Sequence, residues 1–415
     1  MHQSRCSPIV VSLVELLLFS SIIVGIAVGH FTGPPLSVQE SQSLALREKV
    51  VNATLAQKDL FDCSIYVPDS NPILPPEQQI FQVVRDGKIT PDDGKDYTGA
   101  FWSPKGDAVV FVAPTREIQP IQESDTLPSA GGEPPRLMGI SKNQLMLYSL
   151  ASGTWAELTS DGLSPAWAQD GQSIYYLAGT NLMKAEVDTR IISRTDLSVP
   201  DTGVGLSLSR PLSDGRILAP RSPHAPLELL GAKTPTPSPI GVGDGDIIIL
   251  SPGQDRVVVG YGATSTPAVT VTYDLLSGTV APLLKDCQAA ATQMVWSPAG
   301  NRIAYPLRGE RSEIRIYDLG NDQTQVLVRL DTGDLLSGLS WSPDGKYLAF
   351  TQGDDGPGTA RSIWIASTDG TTRQLLVNGG LLPNWSPAGK HILYARAGTS
   401  RLLDWYLLEV NSTVQ

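Results

Sequence analysis

The chain has 415 residues, 42 of them acidic and 31 basic, for a net charge of −11, with 41% hydrophobic and 18% charged residues. Such a composition holds enough apolar material for a large core and excludes an intrinsically disordered chain. The acidic balance excludes nucleic acid as a partner class, and length alone points to two or three domains.

Residues 1–8 form a short stub with one basic residue, Arg5, expected on the cytoplasmic side. Between Ile9 and Val28 there are fourteen Val, Ile, Leu or Phe residues and a single charge, Glu15. At about −0.3 to −0.6 kcal/mol each, they outweigh the roughly +3 kcal/mol of a carboxylate near mid-helix. About 20 apolar residues suffice to cross a bilayer, so residues 9–29 are expected to be a transmembrane anchor, with a cleaved signal peptide ending near Ala27-Val28-Gly29 as the alternative. No Lys or Arg follows until Arg47. The positive-inside rule then places the rest of the chain outside, in a periplasmic or extracellular space. Residues 30–78 read as a stalk: Leu44, Val51 and Leu55 give only a thin helical stripe, and Pro68, Pro72, Pro75 and Pro76 break any helix.

From residue 79 onward the pattern is a repeat. Trp-Ser-Pro-x-Gly occurs at Trp102–Gly106, Trp296–Gly300, Trp341–Gly345 and Trp385–Gly389. Gly300, Gly345 and Gly389 are 45 and 44 residues apart. Worn copies fill the gap at Trp167–Gly171, Leu212–Gly215 and Ser251–Gln254. One step is longer, Gly106 to Gly171 at 65 residues, and the excess between Pro114 and Pro135 reads as an inserted loop. Around Trp341 the copy contains four short runs, Gly338–Trp341, Tyr347–Thr351, Ser362–Ala366 and Arg373–Val377, rich in β-branched and aromatic residues and bounded by turn formers. Four antiparallel strands per 40 to 50 residues is a propeller blade. Seven turns predict an all-β, seven-bladed propeller over residues 79–415, with six or eight blades as alternatives. The last copy offers only three strands, Leu382–Trp385, His391–Ala395 and Asp404–Val410, while Ile80–Arg85 is spare at the other end. Pairing that spare strand into the last blade would close the ring and leave no long open edge.

At these turns the chain resembles the WD-like propeller repeats of TolB-type proteins, which carry Trp-Ser-Pro-Asp-Gly. The resemblance covers roughly residues 79–415 and implies the fold far more than an activity. Asp344 keeps the turn aspartate, whereas Lys105, Ala299 and Ala388 replace it in the other full motifs. Similar propellers precede the hydrolase domain of prolyl oligopeptidase-like peptidases, but this sequence has no Gly-x-Ser-x-Gly elbow.

Three cysteines allow one pairing outside the membrane, Cys63 with Cys287, against the alternative of two free thiols. Catalytic signals are sparse. Of four histidines, His2 and His30 flank the apolar segment, and His224 and His391 have no second histidine at metal-ligand spacing. No cofactor is expected. If strands run outward from the axis, the links between blades share one face with the second-to-third-strand links. Those links carry Asp92, Asp93, Asp96, Asp161, Asp201, Asp244, Asp246, Asp286, Asp331 and Asp334. They read either as an acidic rim for a cation or basic partner, or as ordinary turn residues bonding their own backbone. The function expected from the sequence is a non-enzymatic, membrane-anchored module binding an extracytoplasmic protein or glycan. The alternative is a propeller enzyme, a lyase or glycoside hydrolase using carboxylates at the channel mouth. A sensor subunit is the weakest option, since the stub is too short for an output domain.

Overall fold

The computed structural model describes residues 72–118, 139–199, 209–220, 227–231, 247–261, 269–275, 277, 279–283, 293–307, 312–330, 334–353, 361–398 and 403–413. The expected anchor at 9–29 lies outside them, and no helix among the described residues is long and apolar enough to cross a membrane.

The fold is an all-β propeller of seven blades. Strand β1 (Phe81–Lys88) comes first in the chain. Blade I is β2 (Gly99–Trp102), β3 (Ala108–Ile118), β4 (Gly139–Ser149) and β5 (Thr154–Thr159). Blade II is β6 (Leu163–Trp167), β7 (Ser173–Ala178), β8 (Asn181–Glu186) and β9 (Ile192–Ser198). Blade III shows β10 (Arg210–Pro211), β11 (Ile217–Pro220) and β12 (Leu227–Leu230) among the described residues. Blade IV is β13 (Ile247–Leu250), β14 (Arg256–Tyr261), β15 (Val269–Asp274) and β16 (Val280–Pro282). Blade V is β17 (Val295–Trp296), β18 (Arg302–Leu307), β19 (Glu313–Asp318) and β20 (Gln323–Arg329). Blade VI is β21 (Leu335–Trp341), β22 (Tyr347–Gly353), β23 (Ser362–Ser367) and β24 (Arg373–Asn378). Blade VII is β25 (Leu381–Trp385), β26 (His391–Ala397) and β27 (Leu403–Ser412), completed by β1. The spare N-terminal strand pairs antiparallel with β27 from Phe81↔Ser412 to Lys88↔Tyr406. The core is divided between the blades, each cluster joining the facing sides of two neighbours.

The repeated turn has a physical reason for each residue. The serine hydroxyl accepts the backbone N–H five residues on, from Arg256, Arg302, Tyr347 and His391 at 2.9–3.1 Å. The indole N–H ties one blade to the innermost strand of the blade before it. Trp102 donates to the carbonyl of Asn384, Trp167 to Phe101, Trp296 to Ile249 and Trp341 to Val295. In blade IV, Gln254 takes the turn position held elsewhere by glycine, with φ of 55°, and its side chain accepts bonds from the N–H and hydroxyl of Ser213 in blade III. A worn copy thus keeps the turn while changing its chemistry.

Two sequence boundaries shift. The long loop expected from Pro114 begins later, because β3 and β4 stay paired to Ile118↔Gly139. Residues 72–78, counted with the stalk because of their prolines, lie along the rim: Ile73 bridges Arg329 of blade V and Glu77 bridges Arg373 of blade VI.

Candidate functional site

Along each blade the chain alternates direction, so its links fall on two opposite faces. The Trp-Ser-Pro-x-Gly turns and the third-to-fourth-strand hairpins form a turn face. The blade-to-blade links and second-to-third-strand links form a loop face around the axial opening. Of the ten aspartates expected there, Asp92, Asp93 and Asp96 lie between β1 and β2, Asp161 between β5 and β6, and Asp334 just ahead of β21. Asp201, Asp244, Asp246, Asp286 and Asp331 lie outside the described residues, as do Cys63 and Cys287. The described five serve three different links. Lys88 Nζ sits 2.9 Å from Asp92, Asp93 accepts the Tyr97 hydroxyl at 2.7 Å and the Lys95 N–H at 3.1 Å, and Gln352 donates to Asp334 at 3.3 Å.

Side chains absent from the sequence reading stand out in the structure. Arg210 lies on the innermost strand of blade III, one residue before the position that tryptophan holds in a full motif. The equivalent Ser340 and Asn384 reach the innermost strand of the next blade, accepting from the Trp385 N–H and donating to the Ala100 carbonyl. By that equivalence Arg210 belongs to the inner wall between blades III and IV. Its guanidinium donates to the Ser209 carbonyl at 3.0 Å. Burial, which disfavours the charged form, pulls its pKa down to about 10. Phe101 holds the same position in blade I and is 39% exposed, an unusual fraction for an aromatic residue on an inner strand.

A second group lies toward the rim of blade V. Glu313 is 1% exposed and is held by Arg315 Nε at 2.8 Å and Arg329 Nε at 2.5 Å. Ile314 and Ile316 pack toward blade VI, so Glu313 and Arg315 occupy the face turned to blade IV. The alternation Glu-Ile-Arg-Ile-Tyr at 313–317 could have revealed a charged strand face, but not that this face is buried. Arg210 gave no signal, because its copy of the motif has lost the tryptophan that would have fixed its register.

On the turn face, a polar cleft of about 360 Å³ separates blades V and VI, lined in part by Asn301, Arg302, Asp318 and Asp344. Arg302 crosses it, donating to the Gly345 carbonyl at 2.8 Å with its guanidinium 4.8 Å from the Trp341 ring. Arg256 repeats the arrangement toward Gly300 and Trp296. This is a recurring blade-to-blade clip.

No protein-family model matches the sequence, and comparison with curated proteins gives no match. Solved structures do resemble the fold. An oligogalacturonate lyase in complex with manganese is 14% identical, with 83% of this chain and 99% of that one covered and a TM-score of 0.56. The oligogalacturonate lyase of Vibrio parahaemolyticus is 12% identical, with coverage of 83% and 97% and a TM-score of 0.55. TolB from Acinetobacter baumannii is also similar, 19% identical over 59% of this chain and 62% of that one, with a TM-score of 0.37. The propeller fold read from the turns is the one this chain has.

The first two structures correct the expectation that this chain is not an enzyme. They are enzymes and match over 83% of this chain, so the lack of a histidine cluster or nucleophile motif does not exclude catalysis. That exclusion looked for local motifs, whereas a propeller assembles a site from strands far apart in sequence. The first of these structures holds manganese. Among the described residues no three His, Cys, Asp or Glu side chains converge as a metal ion requires. His391, the one histidine among them, begins β26 at a turn-face position. The described residues do not fit that ion, and no chemical step is derived through it.

Proposed function

We propose that the ring is a glycan-active enzyme of the lyase class, with an acidic sugar as substrate. The observation that carries this reading is Arg210, a half-buried guanidinium on the innermost strand of blade III whose pKa is lowered to about 10 by the burial around it. Elimination from a uronic acid removes the proton on the carbon beside the carboxylate. A base takes that proton, the bond to the glycosidic oxygen on the next carbon breaks, the departing oxygen takes up a proton from solvent, and a conjugated double bond remains. That proton is acidic enough only when the carboxylate charge is compensated, which a fixed guanidinium does best where water is excluded. The likeness to two oligogalacturonate lyases over 83% of this chain supports the class of reaction.

A hydrolase would need two carboxylates flanking one bond. The rim keeps a proposed role in gathering cations around the opening, and its effect should weaken as salt is raised. We also propose that the anchor at 9–29 holds this activity outside the cytoplasmic membrane. Fractionation with N-terminal sequencing tests that placement. For the activity, the full chain is incubated with oligogalacturonate and with other uronate oligosaccharides, and ultraviolet absorbance of the new double bond is followed. Turnover lost in Arg210→Ala and strongly reduced in Arg210→Lys is the expected result. No absorbance change with any uronate, or full activity in Arg210→Ala, would overturn the proposal.

A further inference from the structure

The residue that precedes the motif tryptophan sits at one level on the innermost strands. Cross-blade indole bonds fix that level: the accepting carbonyls belong to Asn384, Phe101, Ile249 and Val295, each directly ahead of its own motif position. In blades I, II and III the residues there are Phe101, Ala166 and Arg210, on strands β2, β6 and β10, which lie side by side. An aromatic ring and a guanidinium thus flank a residue that offers only a methyl group.

The backbone of Phe101 is held from two sides. It pairs with Val110 on β3, and its carbonyl takes the Trp167 indole N–H at 2.9 Å. Opposed residues of an antiparallel pair share a face, so Phe101 leaves the sheet on the side of Val110, which is buried against Trp167 and Ile174 of blade II. Val110 is 0% exposed and Phe101 is 39% exposed, although both leave the same face. Because β2 is the edge strand nearest the axis, the uncovered part of the ring faces the central channel. Gly99 makes room for it: a Cβ there would lie 3.1 Å from Phe101 Cε2, so the ring runs back along its own strand. Among the described residues β2 is also the one innermost strand with no buried residue, and Trp102 is half-buried where the other four motif tryptophans are buried.

An uncovered aromatic face on the same level as a guanidinium sets two demands on a ligand. It must bring a carboxylate for Arg210 and an apolar face for Phe101. A uronate oligosaccharide has both, since the C–H bonds on one face of a pyranose present weakly positive hydrogens to the negative face of an aromatic ring. We propose that Phe101 is a sugar platform of the site at Arg210: one ring of the oligosaccharide stacks on Phe101 while the carboxylate of another ring pairs with Arg210. The methyl group of Ala166 leaves the space between them to the sugar chain. This deepens the lyase reading and rests on it for the identity of the ligand. Its consequence is a minimum length, because a single uronate held at Arg210 does not cover Phe101, two blades away.

Saturation-transfer NMR on the full chain, recorded at the start of mixing so that binding is read apart from turnover, compares galacturonate with trigalacturonate. Phe101→Ala should weaken the trimer about tenfold or more and leave the monomer within about twofold. Phe101→Tyr keeps the ring and should bind the trimer within about threefold of wild type. If Phe101→Ala does not fold, Phe101→Leu takes its place with the same expected loss. A trimer bound equally with and without the ring, an equal loss for monomer and trimer, or Phe101→Tyr as weak as Phe101→Ala overturns the platform. So does a wild-type chain that binds neither sugar. The absorbance of the new double bond tests the lyase separately. Turnover with an unchanged KM in Phe101→Ala would refute the platform and keep the lyase. Trimer binding that depends on Phe101 without any turnover would refute the lyase and keep the platform.

Discussion

Replacing the turn glycines by alanine gives a test of how the blades are stacked, because two chemically identical substitutions should differ in cost. Gly106 and Gly300 hold the same turn position, with φ of +70° and +68°. A left-handed conformation costs an L-residue about 1–2 kcal/mol, of which about 0.4–1 kcal/mol is offset by the stiffer unfolded chain that alanine brings. At Gly300 a new Cβ would meet nothing closer than Arg256 Nη2 at 3.8 Å, so Gly300→Ala should cost about 1 kcal/mol. At Gly106 the same atom would lie 3.0 Å from the Ala388 Cβ and 3.1 Å from its backbone nitrogen, in the turn of blade VII. Backbone cannot swing aside as a side chain can, and overpacking of this kind adds about 1–3 kcal/mol. Gly106→Ala should therefore cost about 2–4 kcal/mol in all. Urea denaturation followed by tryptophan fluorescence measures both variants against wild type. Equal losses for the two would refute the claim that neighbouring turns touch at the ring junction.

Glu313→Ala should destabilise the chain by about 3–5 kcal/mol in the same assay, because it removes the carboxylate that two buried guanidinium groups share. Tyr394 is fully buried, and burial first, then its bond to Asp86 at 2.7 Å, raises its pKa well above 10. The unfolded chain ionises first as pH rises, so this contribution is complete below 10 and is lost above it. Tyr394→Phe should make that alkaline loss shallower between about pH 10 and pH 12, read as the urea midpoint against pH. For His391, burial is the main cause of a pKa below 6.5, with Lys390 adding to the effect and Glu409 opposing it. Its contribution is complete above 6.5 and is lost as pH falls through the folded value, since the unfolded chain binds the proton first. His391→Gln should flatten the stability profile below about pH 6.5, and an unchanged acid limb would count against the neutral imidazole.

The scaffold was more legible than the site for a physical reason. A hairpin that stacks against its neighbour constrains several adjacent residues at once, so Trp-Ser-Pro-x-Gly survives as a word in the sequence. The closing strand was legible by subtraction, three strands at one end and one at the other. A channel has no such word. Arg210 sits beside Phe101 and Ser340 only in the sense that each precedes a motif position, and the chemistry at that place differs from blade to blade. Local composition cannot tell a free spacer from one bonded along a rim, so Pro72, Pro75 and Pro76 read as stalk although Ile73 and Glu77 bridge to blades V and VI. Trp385 shows the same limit. Its motif is complete, yet its indole N–H bonds the Gly389 carbonyl of its own turn, and Phe81, more than three hundred residues earlier in the chain, packs edge-on to its ring.

The pairing of Phe81 with Ser412 also sets the order of assembly. During synthesis β1 emerges first and its partner last, so the earlier strand must wait, unsatisfied along its backbone, while six blades are made. Closure is the most non-local event in the molecule and should be its slowest folding step. Until it occurs, the growing ring is an open arc with an adhesive strand at one end, the species most exposed to mispairing with another chain and most in need of a chaperone.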